Sequence, residues 1–173
     1  MPRQLLIMRH AKSAWDTGVP DFDRPLADRG LRDAPRVGAW LQKSKLIPDH
    51  VVSSPAERAR QTVIAVCNEL DFKKKKIIWD PRVYGAGSED LLEVLSEVPK
   101  KAKVVLLVGH NPGLEFLTNH LTGTAESTYD DMSDVGLIKT ATVVHLKMPD
   151  DWSNLSAGCA SLVVVKNPGD LNS

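Results

Sequence analysis

The sequence predicts an α/β fold: a single three-layer α/β/α domain with a mostly parallel central sheet and an antiparallel edge. Short apolar runs alternate with stretches of helical periodicity, the pattern of strand and crossover helix. Two of the runs, Leu5-Leu6-Ile7-Met8 and Val104-Val105-Leu106-Leu107-Val108, read as buried strands. Two more, Thr142 to Leu146 and Leu162 to Val165, close the sheet as an antiparallel pair around a turn containing Trp152 to Gly158. A chain of 173 residues is sized for one domain, 1–173, with its own core, and it shows no repeat, linker or low-complexity stretch.

The first strand, Leu5 to Met8, is followed by a long polar loop in which Trp15, Asp16, Asp21 and Asp23 are placed to arch over the strand ends. Ala34, Val37, Gly38 and Leu41 then fall at helical spacing, with Pro35 tolerated only in a first turn or at a kink. His50-Val51-Val52-Ser53 reads as a brief strand. The helix after it has the best-marked start: Ser54 as cap, Pro55 at the first position and Glu57 completing a capping box. Its apolar stripe is Ala59, Val63, Val66, Cys67 and Leu70. Lys73 to Lys76 read as a solvated turn before the strand Ile77-Ile78-Trp79, since no aromatic residue interleaves them. A helix from Ser88 turns Leu91, Leu92, Leu95 and Val98 inward. Asn111-Pro112-Gly113 is turn chemistry, and Leu114, Leu117 and Leu121 continue as a helix. The polar stretch from Thr122 to Lys139 is expected to form a loop beside the site.

Chemistry enters where these elements end. Arg9-His10 closes the first buried run and Gly109-His110 closes another, so the topology brings two imidazoles to one edge of the sheet. Arg58 falls in the first turn of the helix after Ser53-Ser54, off its apolar stripe and near the positive end of the dipole, where a bound anion gains from both. Two histidines and two arginines around one pocket suit an anion whose charge is held while a nitrogen attacks it. His50, His120 and His145 read as structural or surface residues.

Arg9-His10-Ala11 with Lys12-Ser13-Ala14-Trp15, Ser53-Ser54-Pro55 through Arg58 to Ala59-Arg60-Gln61-Thr62, and Gly109-His110-Asn111-Pro112 resemble the histidine phosphatase superfamily, also called phosphoglycerate mutase-like. Asp21-Phe22-Asp23-Arg24-Pro25-Leu26 before Arg29-Gly30, Glu89-Asp90-Leu91-Leu92 and Asn167-Pro168-Gly169-Asp170-Leu171 are similar to its SixA-like phosphohistidine phosphatase branch. The resemblance implies that His10 is the covalent nucleophile and that Arg9, Arg58 and His110 line the phosphate pocket, with no metal or organic cofactor. It also implies a phosphorylated substrate, either phosphohistidine in a protein or a small phosphate ester. Relative to mutase-type members, Ala11 replaces a glycine and Asp16 an asparagine, and the family's glutamate proton donor has no counterpart around Tyr84-Gly85-Ala86-Gly87. That favours a P–N bond, whose imidazole leaving group departs neutral once its ring is protonated.

Other classes fit less well. A cysteine phosphatase needs an arginine six positions after its cysteine, and Lys73 and Val165 stand there for Cys67 and Cys159. Both cysteines read as buried thiols, Cys67 in a helix and Cys159 in a strand, which suits a reducing compartment. Asp21-Phe22-Asp23 does not follow a strand, as the aspartates of a magnesium-dependent haloacid dehalogenase would. No third ligand joins the histidines at zinc spacing. The remaining alternatives are a small-molecule phosphomonoesterase of the same superfamily and a non-catalytic phosphate-binding module. Lys+Arg 22 against Asp+Glu 22 argues against wholesale attraction to nucleic acid or a membrane surface. No leader or spanning segment is evident, and a cytoplasmic protein is expected.

Overall fold

The computed structural model describes residues 2–15, 17–124 and 138–171. They form one α/β domain around a six-stranded mixed sheet of order β3-β2-β4-β1-β5-β6. The strands are β1 (Arg3–Arg9), β2 (His50–Ser53), β3 (Ile78–Trp79), β4 (Val104–Gly109), β5 (Val143–Met148) and β6 (Ser161–Lys166). β3, β2, β4 and β1 run parallel, while β5 lies antiparallel on β1 and β6 antiparallel on β5. The helices are α1 (Asp28–Lys43), α2 (Glu57–Glu69), α3 (Ser88–Ser96) and α4 (Gly113–Thr122).

The alternation of side chains along each strand builds the three layers. On β1, Leu6 and Met8 join α1 and α2 in one core, with Val37, Leu41, Val63 and Val66. Leu5 and Ile7 point the other way, into a second core with Leu91 and Leu95 of α3 and Leu114 and Leu117 of α4. β4 divides identically, Leu106 and Val108 to the first core and Val105 and Leu107 to the second. Both faces of the central strands are thus covered, which is why their sequences carry no polar alternation.

One local reading is narrowed and two are corrected. Pro35 lies well inside α1, which excludes the first-turn placement of the two the sequence allowed, and it deprives the Leu31 carbonyl of its helical donor. The capping box at α2 does not form: the helix begins at Glu57 with Ala56 as cap residue and no side-chain cap bond. Ser54 Oγ instead accepts the Ala56 N–H at 3.2 Å and bonds to His110. Cys159 lies in the turn before β6, not in a strand, and is half-buried. Within the β5–β6 connection Trp152 is a core residue, fully buried with its indole N–H donating to the Ala102 carbonyl at 2.9 Å. Most of the loop expected between Thr122 and Lys139 falls outside the described residues, as does Asp16.

Candidate active site

Three neighbouring parallel strands end together and deliver the site. The register pairs Arg9 with Gly109 and Ser53 with Val108. Just beyond it, the His10 N–H donates to the Gly109 carbonyl at 3.0 Å and the Ser54 N–H to that of Val108 at 3.0 Å. His10 and His110 therefore leave adjacent strands side by side, their ring centroids 5.1 Å apart. Thr62 ties α2 to this edge: its hydroxyl accepts the Ala11 N–H at 3.0 Å and donates to the Arg58 carbonyl at 2.7 Å. That fixes the first turn of α2, and hence Arg58, against the loop after His10.

His10 is 7% exposed. Its Nδ1 lies 2.7 Å from the Ala11 carbonyl. A carbonyl only accepts, so Nδ1 carries the proton and Nε2 the lone pair. Burial lowers the imidazole to about 3, the Ala11 bond opposing and His110, Arg58 and Arg9 reinforcing the fall, so the ring is neutral at physiological pH. His110 is lowered to about 4, again by burial first and then by Arg58. Its Nε2 meets Ser54 Oγ at 2.7 Å, and its Nδ1 is buried without a hydrogen-bond partner among the described residues. Ser54 Oγ, which accepts from Ala56, can either accept from Nε2–H or donate to a bare Nε2; in the second arrangement, or when the ring is protonated, His110 Nδ1 is an N–H donor.

The arginines stand on either side. Arg9, at the end of β1, donates to the Ile138 carbonyl at 3.3 Å. Asn111 braces the same carbonyl at 2.7 Å and also bonds to Glu115 Oε1 at 3.0 Å. Arg58 is 6% exposed. Both of its terminal nitrogens are taken by Asp21: Nη1 donates to the main-chain oxygen at 2.7 Å and Nη2 to the carboxylate at 3.1 Å.

Asp21 and Tyr84 were not singled out as site residues from the sequence. The Tyr84 hydroxyl donates to Asp21 at 2.7 Å, and its ring stands edge-on to His110 with centroids 5.5 Å apart. Tyr84, then Arg58 and Arg24, pull the Asp21 carboxyl down to about 2, and Asp21 in turn raises the Tyr84 phenol. Arg24 completes the strap, donating to Asp21 at 3.2 Å and to Ser13 Oγ at 2.7 Å while lying 4.0 Å over the Trp15 ring. Arg24 was legible only as part of the Asp21 to Leu26 motif, and no spacing rule links Asp21 to an arginine on another element.

The histidines expected to be structural are elsewhere. His145 bonds to Gln4 Oε1 at 2.5 Å across β5 and β1, His120 to the Leu155 carbonyl at 3.1 Å, and His50 is half-buried at the start of β2. Among the described residues no group of three or more His, Cys, Asp or Glu side chains is arranged to hold a metal ion, and no helix is long and apolar enough to cross a membrane.

Paired histidines at the ends of neighbouring parallel strands, flanked by a strand-end and a helix-start arginine, define the histidine phosphatases, and the chain belongs to that superfamily. Residues 5–83 match the histidine phosphatase superfamily (branch 1). An uncharacterized protein of Mycobacterium tuberculosis is 33% identical over 159 residues, 90% of this chain and 96% of that protein. The phosphohistidine phosphatase SixA of Escherichia coli is 28% identical over 120 residues, 68% of this chain and 73% of that one. A solved structure from Nakamurella multipartitia, assigned provisionally as a phosphohistidine phosphatase SixA, superposes with a TM-score of 0.81 at 31% identity, covering 97% of each chain. Within the superfamily the chain groups with these SixA-like members.

Proposed function

We propose that the protein is a metal-independent phosphatase that removes the phosphoryl group from phosphohistidine in a protein, by way of a covalent phosphohistidine on His10. The observation that carries the reading is the state of His10: neutral, proton held on Nδ1 by the Ala11 carbonyl, lone pair on Nε2, beside two arginines and the ring of His110. A neutral imidazole is a competent nucleophile without a separate base.

In the first step Nε2 of His10 attacks phosphorus in line with the leaving nitrogen, and the P–N bond breaks as the substrate imidazole, protonated on its other nitrogen, departs neutral; the guanidinium groups of Arg9 and Arg58 hold the equatorial oxygens, joined by His110 when its Nδ1 carries a proton. In the second step water attacks phosphorus, the P–Nε2 bond breaks with its electron pair returning to Nε2, water's protons stay with the inorganic phosphate, and His10 is left as the neutral ring protonated on Nδ1. A phosphohistidine substrate suits a site in which the carboxylate bound to Arg58, Asp21, is held near 2 and carries no proton to give an alkoxide.

The test is a panel: a phosphotransfer domain phosphorylated on histidine, phosphosugars and nucleotides, each incubated with the protein and with His10→Ala. Fast release from the phosphohistidine protein alone supports the reading; faster hydrolysis of a phosphosugar would assign the same site to small molecules.

A further inference from the structure

Nine of the thirteen lysines lie in three short segments: Lys43 and Lys45, Lys73 to Lys76, and Lys100, Lys101 and Lys103. Each leads into a strand, the first into β2, the second into β3 and the third into β4. Those strands are parallel and adjacent in the order β3-β2-β4, so their amino-terminal ends meet at the end of the sheet opposite His10 and His110. Asp49 stitches two of the segments together, its N–H donating to the Val104 carbonyl at 2.9 Å and its carboxylate accepting the Lys103 N–H at 2.9 Å.

All nine lysines are exposed, and none forms an ion pair with a described residue. The carboxylates closest in sequence to these segments and the strand ends beside them are Asp49, Glu69, Asp71, Glu97, Asp150 and Asp151. Several are engaged already: Asp49 by main-chain N–H groups, Glu97 by Arg82 at 2.5 Å, and Asp151 by Ser153, with Lys100 in its field. A local excess of positive charge remains. Ile47, in the lead-in to β2, and Ile78, the first residue of β3, are 41% and 43% exposed as bare aliphatic side chains. The chain's zero net charge does not preclude a local excess of this kind.

We propose that this face docks on an anionic lipid surface. Lysines are compact, hydrated point charges on long stems, suited to a diffuse negative potential rather than to bidentate reading of fixed phosphates. Exposed aliphatic residues among them suit shallow insertion at the headgroup boundary. A single-stranded nucleic acid would call for stacking rings, and the exposed aromatics Trp15, Phe22 and Phe116 lie outside these lead-ins. Docked this way, the catalytic edge faces away from the bilayer and stays open to a soluble phosphoprotein.

The experiment is sedimentation of the full chain with vesicles of phosphatidylcholine containing roughly one-quarter phosphatidylglycerol, against pure phosphatidylcholine, at low and high salt. Binding to the anionic vesicles alone, lost at high salt, is expected. The quadruple variant Lys73→Gln, Lys74→Gln, Lys75→Gln, Lys76→Gln should weaken partitioning about fivefold per lysine, and Ile47→Ser with Ile78→Ser should weaken it further. Aryl phosphate turnover, unchanged in both variants, shows that they fold. Absence of binding at low salt, binding indifferent to the lysine changes, or preferential capture of a duplex or single-stranded oligonucleotide over the vesicles would each overturn the proposal.

Discussion

At the scale of single residues, the decisive property is a histidine kept neutral by burial. His10 and His110 are lowered to about 3 and about 4, so side-chain nitrogen spectra of both should stay flat from about pH 7.5 to about pH 5. An inflection near 6.5 in either ring would contradict that. Arg58→Ala removes a charged donor from the phosphoryl oxygens and should lower kcat by about a hundredfold to a thousandfold, measured on an aryl phosphate. Asp21 has the opposite sense: it holds both terminal nitrogens of Arg58, so an incoming phosphate has to compete with it. Asp21→Asn should therefore bind orthovanadate more tightly by several-fold, read by inhibition; weaker inhibition would show that Asp21 serves to orient Arg58. The Asp21–Arg58 contact was not visible in sequence, because the two residues are 37 positions apart and belong to different elements.

At the scale of elements, the sheet edge depends on backbones that approach closely. A Cβ on Gly30 of α1 would come within 2.2 Å of the Lys12 carbonyl oxygen, and one on Gly113 of α4 within 2.4 Å of that of Ala86. Gly30→Ala has no flexible side chain to displace, so it should cost about 2 kcal/mol or more in urea denaturation and also lower kcat, because Lys12 belongs to the loop that follows His10. A variant as stable and active as the parent would refute the role. Apolar periodicity gave most elements closely: β2 and the start of α3 were read from it directly, since a buried face leaves a repeating signal. The start of α2 was misread for a local reason. Ser54, Pro55 and Glu57 satisfy a capping rule, yet the serine hydroxyl bonds to His110, a partner brought by β4, and the tertiary contact prevails over the local one.

At the scale of the whole molecule, the strand order turns scattered motifs into one site. Arg9, His10, Arg58 and His110 were legible because each sits at the end of a strand or the start of a helix, and parallel neighbours align those ends. The lysine-rich opposite end was read only as a solvated turn, since two of its three segments are unremarkable until β2 and β4 bring them beside Lys73 to Lys76. Burying neutral histidines also sets the acid response. Below the ordinary value of 6.5 an unfolded chain takes up protons that the folded His10 and His110 refuse until about 3 and about 4, so stability falls as pH drops through that window and gains no slope from them above it. Urea midpoints across the window should fall less steeply for His10→Asn with His110→Asn than for the parent, and an equal slope would contradict the assignment. The most direct measurement is rapid quenching of the protein during turnover of a radiolabelled phosphohistidine protein, followed by mapping of the labelled peptide. An acid-labile, base-stable phosphoryl group on His10, absent from His10→Ala, is the expected result; turnover with no label on that residue would contradict covalent catalysis by this imidazole.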